Sequence, residues 1–302
     1  MARRKTKSNT LVFLLAAVIV ILAAVVTGIT KSQPSDKPSS APATQEQEVP
    51  ALSAHFIDVG QGDCTLFVSG DETMLIDSGE YNYRDTVVDY LKEMGITELD
   101  YIVTTHAHSD HMGSMAYVIE NIDVENIIYS EPTDSAMSKK FYGDFLDAVE
   151  KTDAEIIIAE PDYTFTLGEA ECKILAPYEL SNEENDNSVV MLISVDSASF
   201  LMTGDAEKAV EKKILEKYPD LNATILKAGH HGSKTSSHKD FIKTINAETA
   251  IICVGEDNSY NHPSEDILKI YEENKMDIYR TDVKGTITIN CYKDRYIIST
   301  EK

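Results

Sequence analysis

Histidine is scarce in this chain, eight in 302 residues, cysteine scarcer still at four, and basic side chains are outnumbered, 27 Lys and Arg against 51 Asp and Glu. Each shortage narrows the reading. Cys64, Cys172, Cys253 and Cys291 stand singly in apolar, strand-like runs, with no C-x-x-C pair. They read as buried free thiols, although an exported chain would also permit two bridges. Residues 1–50 hold six basic and three acidic side chains, which leaves 21 basic and 48 acidic beyond them, a net of −27. A nucleic-acid binder normally presents a basic stripe that displaces counterions. This domain instead repels a polyanion at long range, unless a local patch is positive. The plain meaning of the charge is an acidic, soluble surface.

Two stretches are defined by what they omit. Residues 11–29, LVFLLAAVIVILAAVVTGI, carry no charge, and Arg3, Arg4, Lys5 and Lys7 precede them. A helix of that length spans a bilayer core, and the basic flank keeps its own end in the cytoplasm. The expected organisation is a basic tail over 1–10 and a single transmembrane signal-anchor over 11–30. The chain beyond it is then extracytoplasmic, at the cell membrane. A cleaved signal peptide, with secretion, is the alternative. Residues 31–50 have almost nothing apolar and are rich in Pro, Ser, Ala and Gln. Such a segment cannot bury enough surface to order itself and reads as a linker. No second linker and no short-period repeat follows, so 51–302 reads as one domain.

Within that domain, strand signals such as CTLFVSG, TMLIDSG and LDYIVTTH alternate with Gly and Asp turns. Helical periodicity appears at 84–94, 112–121, 138–151, 206–218, 239–245 and 264–275, and a closing hairpin is expected around Gly285. Two β-rich blocks, each trailed by helices, predict an α/β (α+β) four-layer architecture, with two sheets face to face and helices outside.

The histidines are not spread evenly: THAHSDH puts His106, His108, Asp110 and His111 within six positions at the end of a predicted strand. His106 and His108 are two apart, so in extended chain they point the same way. Imidazole and carboxylate suit zinc, manganese or iron. Asp77 in LIDSG, Asp205 in LMTGD, and His230 and His231 in LKAGHHGS also end predicted strands, while His262 lies in NSYNHPS before a helix.

HxHxDH, a later strand-terminal Asp and a late His resemble the metallo-β-lactamase superfamily. HFIDVGQGDCTLF, LIDSG, NDNSVVMLI, FLMTGDAE, LKAGHHGS, NHPS and YRTDVKGTITI are similar to the extracytoplasmic domain of ComEC-type competence proteins. They are also similar to that domain's stand-alone relatives, phosphorylcholine esterase domains among them. The resemblance covers about residues 54 to 299. It implies an αββα metallo-β-lactamase-like sandwich with a metal site at one edge, holding two divalent ions, Zn or Mn. Carried over residue by residue, His106 and His108 hold the first ion, Asp110 and His111 the second, and Asp205 bridges them. His231 completes the second site, with His230 the alternative ligand or a substrate-facing group, and Asp77 supports the ligand loop. Many superfamily members supply another histidine before the bridging Asp; none lies between His111 and Asp205 here. Asn185, Asp186 or Asn187, or a water, stands at that point, so a single bound ion is the alternative. Asn187 is also a candidate for meeting the substrate.

Paired cations make a bridging water acidic enough to be hydroxide near neutral pH and offset charge on a phosphoryl group. Asp110 would orient that hydroxide or take its proton, and His230 or His262 would protonate the leaving oxygen. Ser233, Asn258 and His262 are candidates for holding the phosphate. Three functions compete: a phosphodiesterase or nuclease acting on DNA outside the cell; a hydrolase of small or wall-linked phosphodiesters such as phosphocholine esters; and a surface binding module with a purely structural metal. DNA binding would need Lys227, Lys234 and Lys239, which flank the paired histidines, to outweigh the global charge. A separate membrane channel is a further expected partner, because the channel-forming helices of ComEC proteins are absent.

Overall fold

Apolar residues recur on both faces of most strands, so both faces must be covered. The computed structural model describes residues 48–302. Their fifteen strands are β1 (Leu52–Phe56), β2 (Thr65–Ser69), β3 (Glu72–Ile76), β4 (Glu98–Thr104), β5 (Asp123–Tyr129), β6 (Glu155–Ile158), β7 (Thr164–Leu167), β8 (Ala170–Ala176), β9 (Val190–Val195), β10 (Ala198–Met202), β11 (Ile225–Lys227), β12 (Thr249–Ile252), β13 (Asp277–Arg280), β14 (Ile287–Cys291) and β15 (Tyr296–Thr300). They form one sheet of eight, ordered β15-β14-β1-β2-β3-β4-β5-β6, and one of seven, ordered β13-β12-β11-β10-β9-β8-β7.

Alternation along each strand then assigns the layers. In β2, Phe67 faces the other sheet while Leu66 faces outward; in β11, Ile225 faces inward and Leu226 outward. The inward set fills the space between the sheets, where Phe67 and Phe200 meet edge to face with ring centres 5.4 Å apart. The outward faces are covered by Arg84–Glu93, Met115–Asn121 and Lys140–Val149 on the first sheet, and by Lys208–Lys217, Lys239–Ile245 and Glu265–Glu273 on the second. Full burial of a side chain such as Phe200 contributes about 1.5–3 kcal/mol. The result is helix, sheet, sheet, helix, as the rhythm of the sequence implied.

Two expectations need correction or restriction. Gly285 does not turn a hairpin: with φ 65° it ends the short helix Thr281–Lys284. The hairpin lies one strand later, joining β14 to β15, and Tyr292 N–H closes it on the Arg295 carbonyl at 2.8 Å. The 11–30 anchor, the 1–10 tail and nearly all of the 31–50 linker lie outside the described residues. No helix among the described residues is long and apolar enough to cross a membrane. All four cysteines are buried and free.

Candidate metal centre

The chemistry gathers where parallel strands end. β3 and β4 run parallel in one sheet, and β10, β11 and β12 in the other. Their carboxyl ends release the chain into loops at a common edge, the usual place for a crevice in such sheets. Asp77 follows β3, His106 and His108 follow β4, Asp205 follows β10, and the paired histidines follow β11.

The His230–His231 turn is held in a conformation that L-residues avoid. Both have positive φ, 49° for His230 and 53° for His231, at a cost of about 1–2 kcal/mol each. The fold offsets this with hydrogen bonds around the loop. His230 N–H donates to Gly204 O at 3.2 Å and Ser233 N–H to His230 O at 2.8 Å. Glu211, buried on the helix behind, accepts the N–H groups of Ser237 at 2.5 Å and His238 at 2.7 Å. Gly204 has φ +50°, and a Cβ there would lie 2.9 Å from the Thr105 side chain. Only glycine lets the Asp205 loop approach the end of β4 at Thr105 so closely.

Three groups of ligand-type atoms result among the described residues; Asp63, Asp77 and His111 form one behind the cluster, and Asp205 belongs to both of the others. Asp110, His111, Asp205 and His231 form one; His106, His108 and Asp205 form the other; in each, the ligand atoms lie within 4.8 Å of one another. His111 Nε2 stands 3.2 Å from Asp205 Oδ1, yet the two are not aligned as donor and acceptor. Both atoms are buried with no hydrogen-bond partner. Buried polar atoms are normally satisfied, so this shared, unpaired pair fits a site built for a cation. His106 Nε2 and His108 Nδ1 also face each other, 3.0 Å apart. The cluster is compatible with two ions. Between the paired histidines it is His231, 1 % exposed, whose Nε2 enters the cluster, 3.2 Å from Asp110 Oδ2.

A second layer sets the rings. Asp77 accepts the N–H and hydroxyl of Thr105, both at 2.8 Å, and stands 2.8 Å from His111 Nδ1. His231 Nδ1 faces the Cys253 carbonyl at 2.9 Å and Asp63 Oδ1 at 3.3 Å, which leaves its Nε2 for the cluster. Beneath them Lys227, wholly buried, meets Asp63 at 2.7 Å and its neighbour's carbonyl, Ala228 O, at 2.7 Å. Glu184 joins two loops, accepting Ala107 N–H and Thr133 N–H at 2.9 Å each.

The charges follow from this packing. Burial alone would push the Asp205 carboxyl up, but His111 and His231 beside it hold it well below the ordinary range. Burial likewise opposes ionisation of Asp110, and the contact with His231 and the His111 charge overcome it, so its pKa falls. Burial disfavours a charged His231, but Asp205, Asp110 and Asp63 outweigh it and raise it to about 10. His106 moves the other way, well below its ordinary value, through burial and the neighbouring His111. Burial, then His230 and His231, lower His262 to about 4.

Above the ligands lies an open cleft of about 620 Å³. His108, Asp110, Asp205, His230, His231 and His262 all line it, together with Gln61, Glu184, Tyr260 and Lys139. Three expected substrate-binding residues do not. Asn187 is buried and turned back on Ser181, bonding its N–H at 2.7 Å and its carbonyl at 3.1 Å. Ser233 Oγ accepts from Thr235 within its own turn. Asn258 spends its amide on the Gly255 and His262 carbonyls and on the Tyr260 and His262 N–H groups. Asn185 stands beside His230, 3.3 Å from its Nδ1. Of the three lysines expected to meet DNA, one is buried and two lie on the surface in ion pairs. Lys227 is sealed under the site, Lys234 pairs with Asp266 at 3.1 Å, and Lys239 with Glu273 at 3.7 Å. Asp63, Glu184, Gln61 and Tyr260 were not anticipated. Inward alternation from Ile225 to Lys227 was the one available signal for the buried pair, because i and i+2 share a face.

A four-layer sandwich with two ligand groups sharing one carboxylate at its sheet edge defines a class of metal-binding hydrolase folds. The family model of the metallo-beta-lactamase superfamily matches residues 57–256, and the chain belongs to that superfamily. It is 30% identical to ComE operon protein 3 of Bacillus subtilis over 82% of this chain and 34% of that protein. It is 28% identical to competence protein ComA of Neisseria gonorrhoeae over 76% of this chain and 31% of that one. The chain thus spans about a third of the length of the curated relatives it matches. Among solved structures it resembles CmlA, a diiron beta-hydroxylase from Streptomyces venezuelae, with a TM-score of 0.56 at 14% identity, over 81% of this chain and 55% of that one. That likeness speaks for the fold alone.

Proposed function

We propose that this chain is a metal-dependent phosphodiesterase, and that its substrates are short or single-stranded diesters. The observation that carries the reading is Asp205 shared by two ligand groups at the floor of an open cleft. His106, His108 and Asp205 would hold one divalent ion, and Asp110, His111, Asp205 and His231 the other. Such ions make water acidic enough to attack near neutral pH and offset phosphoryl charge.

The chain's own groups do the rest. Asp110 faces the cleft in its charged form and orients the attacking water or accepts its proton. His230 is better suited than His262 to protonate the leaving oxygen. Its Nε2 looks toward Asp205 at 3.7 Å and its Nδ1 lies 3.6 Å from Glu207, so the ring stands between the ligand cluster and a second carboxylate. His262, lowered to about 4, carries almost no proton at neutral pH. Among the described residues Lys139 is the one Lys or Arg lining the cleft, which favours a short diester over a long duplex. The uncharged run over 11–29 supports a membrane-anchored, extracytoplasmic enzyme; membrane fractionation with external protease tests that placement.

The activity is tested on the purified full chain reconstituted with zinc or manganese. It is offered bis-p-nitrophenyl phosphate, single- and double-stranded DNA, a phosphocholine ester and a cephalosporin. Hydrolysis of the small diester and the single strand ahead of duplex supports the reading; turnover of the cephalosporin alone overturns it.

A further inference from the structure

One side of the cleft is a row of rings. His230 and His262 meet edge to face with centres 5.5 Å apart, and Tyr260 stacks on His262 at 5.7 Å with planes 25° apart. The row starts at the ligand cluster, where His230 Nε2 is 3.7 Å from Asp205, and ends in solvent, where Tyr260 is 65 % exposed. An aromatic so exposed adds little to the core, yet its backbone is fixed with care. The Asn258 amide holds the loop through four hydrogen bonds, and Asp257 and Asn261 take positive φ of 54° and 57° on either side of Tyr260. Left-handed asparagine and aspartate are the tolerated way to turn a chain that tightly. The fold therefore presents Tyr260, with one face against His262, at the mouth of a cleft where, among the described residues, Lys139 is the one lysine or arginine.

We propose that the row His230–His262–Tyr260 is a stacking subsite for a planar ring carried on the substrate, so that the enzyme prefers nucleotide-type diesters with an unpaired base. The proposal rests on the phosphodiesterase reading and names its substrate class. With one lysine lining the cleft among the described residues, electrostatic grip on a phosphate chain beyond the ligand cluster is small, and affinity for the rest of the substrate has to come from surface contact. A base face stacks on an aromatic without regard to sequence, but a base inside a duplex has both faces covered. A trimethylammonium group is better served by a cage of several aromatic faces than by a row.

The test uses the full chain loaded with manganese. Binding of thymidine 5′-monophosphate, methyl phosphate and phosphocholine is measured by calorimetry for wild type, Tyr260→Ala and Tyr260→Phe, with thermal melts as a control for folding. Thymidine monophosphate is expected to bind more tightly than the other two. Tyr260→Ala is expected to weaken it by roughly tenfold or more, as for other base-stacking aromatics, and Tyr260→Phe to keep it. In turnover, the ratio of kcat/KM for the p-nitrophenyl ester of thymidine 5′-phosphate to that for methyl p-nitrophenyl phosphate should fall about as much in Tyr260→Ala. Equal binding of all three ligands, an unchanged ratio, or a loss confined to phosphocholine overturns the subsite. If neither diester is cleaved while nucleotide binding still depends on Tyr260, the phosphodiesterase reading falls and the subsite stands. If both are cleaved with no dependence on Tyr260, the subsite falls and the reading stands.

Discussion

The Asp77 carboxylate stands 2.8 Å from Nδ1 of His111, on the far side of the ring from Asp205. That contact decides which nitrogen faces the ligand cluster. With a proton on Nδ1 donated to Asp77, Nε2 is free to ligate. In Asp77→Asn the amide can donate instead, which draws the proton to Nε2 and takes the ring out of the ligand set. Metal affinity is expected to fall by about 10–100-fold, read by competition with a coloured chelator. Unchanged affinity would mean that the Thr105 contacts are the whole purpose of Asp77.

Asp205 gives a stronger test, because it touches both groups. Purified protein is expected to carry one to two transition-metal ions per chain, the range such sites hold. Asp205→Ala should lower metal content and diesterase activity together, whereas His108→Ala should spare the group built on His231. Metal analysis alongside activity separates the two variants. Full activity in Asp205→Ala would remove it from the centre.

What was legible in the chain was local, and what was not was long-range. HAHSDH declares its chemistry in six residues, and apolar alternation reveals four layers. The pairing of β1 with β14 joins the two ends of the domain, and no short window records it. Glu184 bonds Ala107, 77 residues away, from a loop that reads as plain polar sequence. Asn258, in the same NSYNHPS run as His262, reads as a candidate for holding phosphate. Asparagine serves as readily to hold its own turn, and that use wins where Tyr260 must be presented. Lys227 flanks the paired histidines, which makes it a candidate for DNA, but its spacing from Ile225 points it inward.

The Lys227–Asp63 pair predicts a non-additive cycle. Its two side chains are 0 % and 6 % exposed and 2.7 Å apart. Lys227→Met leaves the Asp63 charge buried without its partner and should cost about 3–5 kcal/mol, while Lys227→Met with Asp63→Asn should cost much less. Urea unfolding with excess chelator measures all four corners without a contribution from metal. Additive losses would show that the two residues act independently.

Glu211 predicts a pH dependence that can be checked in the same assay. Its carboxyl is buried, which raises its pKa from 4.5 to about 7 against the opposing pull of the His238 and Ser237 N–H groups and Lys208. A raised acid binds its proton more tightly folded than unfolded. Its contribution is therefore fully present below pH 4.5 and is lost as pH rises through about 7. Glu211→Gln cannot titrate, so the stability of wild type relative to this variant should fall between pH 4.5 and 8, by on the order of 3 kcal/mol. Other titrating groups cancel in the difference. A flat difference would mean that Glu211 ionises near its ordinary value. The two N–H bonds to the histidine loop would then outweigh burial, and the carboxylate would hold that loop in its charged form at every pH above about 5.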